Sequence, residues 1–175
     1  MTAVLPDQFQ DRLLPDQFKS AFRSHPAGVA IITADDGGQA VGLTATSVIS
    51  VSAEPALLAF SLSAQSASSP RIARADSVVV HLLTAGQLEL ARIFATGGID
   101  KFAAAGNWGR LPTGEPVLLG VETWLRGRIA ERIVVADSTV IVAEILEVTS
   151  AEGTSPPLVF RNRAWYSLDE ASVVA

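Results

Sequence analysis

The stretch from residue 121 to residue 148 constrains the fold more than any other. "VETWLRGRIAERIVV" (121–135) sets Val121, Thr123, Leu125, Gly127 and Ile129 on one face and Glu122, Trp124, Arg126 and Arg128 on the other. A period of two is the signature of a strand with one face on a core. "STVIVAEILEV" (138–148) reads as a further long strand, and "PLVFRNRAWYSL" (157–168) as the strand that closes the domain. Upstream, "GVAIIT" (28–33) runs into "ADDGG", a turn rich in residues that tolerate positive φ, and "AVGLTA" (40–45) pairs back as a hairpin. "ALLAFSL" (56–62) and "SVVVHLL" (77–83) are two more strands, with a short helical "PRIARA" between them. Strands outnumber helices and keep no βαβ rhythm. The expected class is mainly β: an antiparallel sheet, closed or packed on itself, with a few short helices.

Two helices are expected outside that pattern. Leu14, Phe18, Ala21 and Phe22 follow amphipathic spacing, and His25-Pro26 ends the run because a residue before proline is pushed from the helical region. "GQLELARIFA" (86–95) is the second. "LPDQF" occurs twice, at 5–9 and 14–18, and each copy reads as a helix start with an early proline and an acid in the first turn. With 175 residues and no visible linker, one domain is expected over 14–170, with an N-terminal extension over 1–13 and a tail over 171–175.

Composition narrows the partners. Hydrophobic residues make up 49% and charged ones 18%, a surplus that points to an oligomer interface or a ligand pocket. A net charge of −5 without a Lys/Arg cluster argues against nucleic acid. The absence of cysteine excludes disulfides, thiolate metal sites and cysteine nucleophiles. The N-terminus lacks the basic-then-apolar pattern of a secretory signal, and every apolar run falls short of the ~18–20 residues of a membrane helix. A cytoplasmic protein is expected.

Few constellations carry chemistry. His25 and His81 are far apart in the chain and show no metal-ligand spacing. His81, inside an apolar strand, reads as a satisfied core residue, and His25 as a helix-end residue. There is no GxSxG elbow, Walker A loop or dinucleotide fingerprint. What remains is hydroxyl-rich sequence on both sides of one strand: Thr44, Thr46, Ser47, Ser50 and Ser52 before it, and Ser61, Ser63, Ser66, Ser68 and Ser69 at its end and beyond. Ser69-Pro70 reads as a helix start with Ser69 as the cap. Such hydroxyls either form turns and caps or converge with helix N–H groups on a phosphate. Arg126 with Arg128, and Arg161 with Arg163, read as strand-face pairs that either meet a nucleotide phosphate or stand in solvent and pair with Glu122 or Glu131. Trp108 in "GNWGR" either covers a ligand or packs in a loop.

At these residues the chain resembles the short-chain flavin reductases, the reductase components of two-component flavin monooxygenases. "FRSHPAGVAIITA", "GLTATSVISVSAEPALLAFSLSAQSASSPRI", "FATGGIDKF" and "PLVFRNRAWYSL" carry the resemblance, which covers residues 14 to 168 or so. It implies a split β-barrel of Greek-key antiparallel type, working as a homodimer. The barrel would bind FMN, with FAD as the alternative, and oxidise NADH or NADPH. Reduced flavin would go to a partner monooxygenase. Carried over by motif, Leu43, Thr44, Ala45, Thr46, Ser47 and Val48 lie along the ribityl chain and ring, with Val48, Ile49 and Val51 anchored in the core. Ser61, Leu62, Ser63, Ser66, Ser68 and Ser69 surround the phosphate. Phe94, Ala95, Lys101 and Phe102 shape the far side, and Pro26 and Gly28 lie near the ring. The family's Gly-Asp-His is matched by Ala136, Asp137 and Ser138, and its tyrosine-histidine pair by Trp165 and Tyr166. Asp137, Ser138, Trp165 and Tyr166 are therefore the positions expected near the nicotinamide nucleotide. The missing histidine also leaves two other readings: a flavin carrier or sensor with little reductase turnover, or a flavin-dependent oxidase of a small substrate.

Overall fold

The computed structural model describes residues 14–150 and 155–174. The first "LPDQF" copy lies outside the described residues. The expected mainly β class is what the chain adopts.

Helix α1 (Leu14–Ser24) leads to a short strand β1 (Ala27–Gly28). Strands β2 (Ala30–Asp36) and β3 (Gln39–Ala45) form a hairpin whose turn residues, Gly37 and Gly38, both have positive φ. Then come β4 (Ile49–Ala53), β5 (Ala56–Ser63), α2 (Ser69–Arg74) and β6 (Ser77–Leu82). Helices α3 (Leu88–Ala95) and α4 (Lys101–Ala105) precede a small hairpin, β7 (Trp108–Arg110) and β8 (Pro116–Leu118). The long strands β9 (Thr123–Val135) and β10 (Ser138–Ser150) follow. The closing segment is a hairpin rather than one strand: β11 (Leu158–Arg161) and β12 (Ala164–Ser167) turn through Asn162 and Arg163, both at positive φ. Arg161 and Arg163 therefore do not share a strand face.

Seven strands join in the order β3-β2-β6-β9-β10-β5-β4, every pair antiparallel. Laid flat, six inter-strand steps would separate β3 from β4 by ~29 Å. The chain passes between those two edges through Thr46–Val48 alone, a span of at most ~14 Å. The sheet must therefore curl until its edges nearly meet, which makes a barrel split along one seam. Ser47, in that passage, is tied to β5: its Oγ accepts from the Ser61 N–H (3.0 Å) and donates to the Ser61 carbonyl (3.2 Å).

Both faces of the β2 and β6 wall are buried, which explains their unbroken apolar runs. Ala30, Ile32 and Ala34, with Val78 and Val80, point into the barrel and meet Phe60, Leu62 and Ile141; Ile72 of α2 joins the same cluster. Val29 and Ile31 point outward, into a second cluster with Ala91, Phe94, Phe102, Leu118 and Leu158. Val48 packs against the barrel core, but Ile49 and Val51 do not: they are 60% and 52% exposed on edge strand β4. Arg126 and Arg128 pair with Glu115 and Glu144, not with Glu122 or Glu131: the β9–β10 register sets Glu144 opposite Arg128, and Glu115 reaches Arg126 from the residue before β8. Among the described residues no helix is long and apolar enough to cross a membrane.

Candidate functional site

A cleft of about 1290 Å³ runs along β3, bounded by the seam, α2 and the α3–α4 pair. Strand alternation sets its floor. Gly42 and Thr44 face α3, while Val41, Leu43 and Ala45 belong to the barrel core. Thr44 Oγ1 donates to the Ala91 carbonyl at 2.7 Å, tying β3 to α3. A Cβ at Gly42 would stand 2.6 Å from Phe94 Cε1, so only glycine admits that ring. On the other flank, Ser61 and Ser63 are exposed where Phe60 and Leu62 are buried, again by alternation.

The "DKF" triplet has a physical role for each residue. Asp100 caps α4, its Oδ1 accepting from the N–H groups of Phe102 (3.2 Å) and Ala103 (3.0 Å). Lys101 reaches across the cleft, its Nζ donating to the Gly42 carbonyl at 3.1 Å and contacting Ser68 Oγ at 3.5 Å. Burial holds its pKa below the ordinary lysine value. Phe102 meets Phe94 edge-on (5.2 Å between centroids) and Trp108 likewise (4.8 Å), so three rings stand in a row on the cleft wall.

At α2 the cap is one residue earlier than the sequence reading. Ser68 occupies the N-cap and Ser69 the first helical position, because Ser68 already has helical φ and ψ; neither hydroxyl makes a capping bond. Ser69 Oγ is buried and has no hydrogen-bond partner among the described residues. An orphaned buried hydroxyl costs roughly 1–3 kcal/mol unless something satisfies it.

The cleft thus gathers Leu43, Thr44, Ala45, Thr46, Ser47, Ser61, Ser63, Ser66, Ser68, Ser69, Phe94, Ala95, Lys101 and Phe102. Pro26, Gly28, Val48 and Leu62 are not on its wall; Leu62 is buried in the barrel. Sequence reasoning missed Arg71 and Arg110, which line one end. Each is held by an aspartate of the β2–β3 turn: Arg71 by Asp36 and Arg110 by Asp35, both at 2.6 Å. The "DDG" turn signal was visible, but its arginine partners are 35 and 75 residues away. Trp108 does both things left open for it, packing on Phe102 and lining the cleft.

Asp137 and Ser138 line a second hollow of about 220 Å³, at the β9–β10 turn and against α2. Ser69 lies on the wall of both. Trp165 packs on Phe160 at 4.7 Å, and Tyr166 is 44% exposed; neither lines the cleft. His81 is the satisfied core residue expected. Among the described residues no cluster of His, Asp or Glu has the makings of a metal site.

The donor set suits an isoalloxazine nucleotide. It has a flat aromatic flank, hydroxyls and amides at a barrel edge, an orphaned hydroxyl, and one half-buried ammonium for a phosphate. Residues 22–169 match the model of the flavin reductase like domain. The chain is 38% identical over 152 residues to an NADH:FMN oxidoreductase of Rhodococcus qingshengii, covering 85% of this chain and 79% of that protein. It is 29% identical over 136 residues to the reductase component of a flavin-dependent trigonelline monooxygenase of Acinetobacter baylyi, covering 77% of this chain and 44% of that protein. A crystal structure of a flavin reductase domain protein from Arthrobacter superimposes with a TM-score of 0.83 at 36% identity, over 89% of this chain and 96% of that one.

Proposed function

The chain belongs to the family of flavin reductase like domains, and from that premise we propose that it is an NAD(P)H:flavin oxidoreductase. It binds FMN, or FAD, in the β3 cleft and hands the reduced flavin to a partner monooxygenase. The observation that carries this reading is the pair Lys101 and Ser69. In one cleft stand a half-buried ammonium with no carboxylate partner and a buried hydroxyl with no partner at all, among the described residues. A phosphate would satisfy both.

The flavin, when bound, supplies the hydride-accepting chemistry. The chain's own residues bind and align. Lys101, Ser66, Ser68 and Ser69 hold the phosphate end; Thr46 and Ser47, at the seam, meet the ring edge with hydroxyl and backbone N–H groups. Phe94, Phe102 and Trp108 exclude water from one flank. Asp137 and Ser138 serve the nicotinamide nucleotide from the second hollow, a placement supported by the wall that Ser69 shares between the two. Residues 14–170 are the working unit, paired as a homodimer in the cytoplasm, and the exposed apolar residues of β4, β9 and β10 support the pairing.

The test is direct. Purified protein is mixed with FMN or FAD and with NADH or NADPH, and loss of the nicotinamide absorbance band is followed. Consumption above the protein-free rate with at least one combination is expected. If no combination exceeds that rate, the reductase reading fails.

A further inference from the structure

The β7–β8 hairpin brings Trp108 and Arg110 to the cleft, yet among the described residues β8 pairs with no strand but β7. Its other edge faces the outer side of the barrel wall, where no strand among the described residues pairs with it. Two barrel side chains take the place of that strand. Thr33 Oγ1 of β2 donates to the Pro116 carbonyl at 2.5 Å. His81 of β6 accepts the Leu118 N–H at Nε2, at 3.0 Å, while its Nδ1–H donates to the Ile31 carbonyl at 3.1 Å. Both side chains are fully buried.

The register makes these contacts specific. Across the hairpin, Leu118 sits opposite Trp108 and Pro116 opposite Arg110. Each barrel side chain therefore grips the residue paired with one cleft residue. A slip of one position would turn Trp108 and Arg110 away from the cleft and strand a buried carbonyl and a buried N–H. Apolar packing alone would tolerate such a slip far better, since it has no direction. Glu115, the residue before β8, adds a third hold: it accepts from Ser77 Oγ at 2.5 Å and pairs with Arg126 at 2.8 Å.

We propose that His81 and Thr33 are positioning residues for the cleft: His81 sets Trp108 through Leu118, and Thr33 sets Arg110 through Pro116. The inference rests on the cleft being the flavin site, and it assigns catalytic-site consequences to two residues that touch no ligand.

Coupling tests it. Flavin affinity is measured by quenching of FMN and FAD fluorescence in His81→Leu and Thr33→Val, each alone and combined with Trp108→Ala or Arg110→Ala. Each single barrel variant is expected to raise Kd about five- to thirtyfold and to raise KM for flavin with kcat little changed. His81→Leu should add almost nothing once Trp108 is gone, but its full effect once Arg110 is gone; Thr33→Val should show the reverse pattern. His81→Gln, which keeps an acceptor for the Leu118 N–H, should recover most of the affinity. Uniform additivity in all four combinations, or unchanged Kd in both barrel variants, overturns the proposal. Should His81→Leu fail to fold, the Thr33→Val arm decides alone. Amide exchange separates this inference from the flavin reading. Faster exchange at Trp108 and Leu118 in His81→Leu, and around Arg110 in Thr33→Val, is expected whether or not flavin binds. Unchanged exchange there refutes the positioning role, whereas absence of flavin binding by the wild-type protein refutes the flavin reading.

Discussion

Ser69 and Gly42 show how much one atom decides in this cleft. The Ser69 hydroxyl has no partner among the described residues, so its burial is a cost that ligand contact would remove. Ser69→Ala is thus expected to leave the free protein as stable or to stabilise it by about 1 kcal/mol. The same change should weaken flavin binding several-fold. Thermal unfolding with and without FMN checks both signs at once; a variant destabilised without ligand would show that the hydroxyl already has a partner. Gly42 is the reverse case, an absent atom that matters. Its missing Cβ is the space occupied by Phe94, a ring that is 1% exposed and wedged against Phe102. Gly42→Ala overpacks that contact at a cost of about 1–3 kcal/mol, or roughly 3–10 °C in Tm for a chain of this size. Because Phe94 lines the cleft, flavin Kd should rise with the loss of stability.

At the level of elements, the β6–β8 contact gives the fold a pH dependence. Burial lowers the His81 pKa from 6.5 to about 4, partly opposed by its bond to the Ile31 carbonyl. The geometry agrees: a proton on Nε2 would set N–H against the Leu118 N–H. The unfolded chain binds that proton near pH 6.5 and the folded chain only near pH 4, so stability falls as pH drops through that window. The loss reaches about 3 kcal/mol at the acid end. Glu115 acts in a lower range. Burial raises its pKa, but hydrogen bonds from Ser77 and Thr113 and the Arg126 charge outweigh that and hold it below the ordinary carboxylate value. Its contribution is lost as pH falls from the ordinary carboxylate range through its lowered folded value. Urea unfolding between pH 7 and 4 should show the His81 slope, and His81→Gln should flatten it; an equal slope in the variant would assign the effect elsewhere. The same contact marks the limit of what sequence can show. Alternation revealed β9, and apolar runs bounded by turn residues revealed β2, β3, β5, β6 and β10, because each of these strands buries at least one face. "GNWGR" and "PVL" were too short to carry a period, so the hairpin β7–β8 was invisible, and with it the partners of His81 and Thr33. Strand β4 was not read from the sequence, and Ile49 and Val51 were expected in the core, because they look like core residues and nothing local says that the sheet ends there. In the cleft, the hydroxyl block and the "DKF" triplet were legible as motifs. Arg71 and Arg110 were not, because turns 35 and 75 residues away position them.

The whole molecule exposes more apolar surface on one set of strands than a lone barrel would retain. Ile49, Val51, Ile133, Val134, Val135, Leu146 and Val148 are each half or more exposed, on β4 and on the long β9–β10 pair. The cause is a mismatch of lengths. Strand β10 pairs with β5 only over Ser138–Glu144, and β9 with β6 only over Thr123–Arg128, so the far half of each long strand overhangs its neighbour. Covering the exposed half of such side chains contributes about 0.8–1.5 kcal/mol each, on the order of 10–20 kcal/mol over the two copies of the set. Association costs an estimated 4–15 kcal/mol, so a second copy of the chain is enough to make the pairing favourable, though not by a wide margin. In a two-fold dimer every substitution acts twice. If two copies pair through these strands, Val51→Lys combined with Val148→Lys places four charges in the interface and should leave a monomer of 18.3 kDa where the wild-type chain is expected to pair. Sedimentation equilibrium at micromolar concentration reads the result. A wild-type chain that is already monomeric there would show that these strands are covered by something other than a second copy.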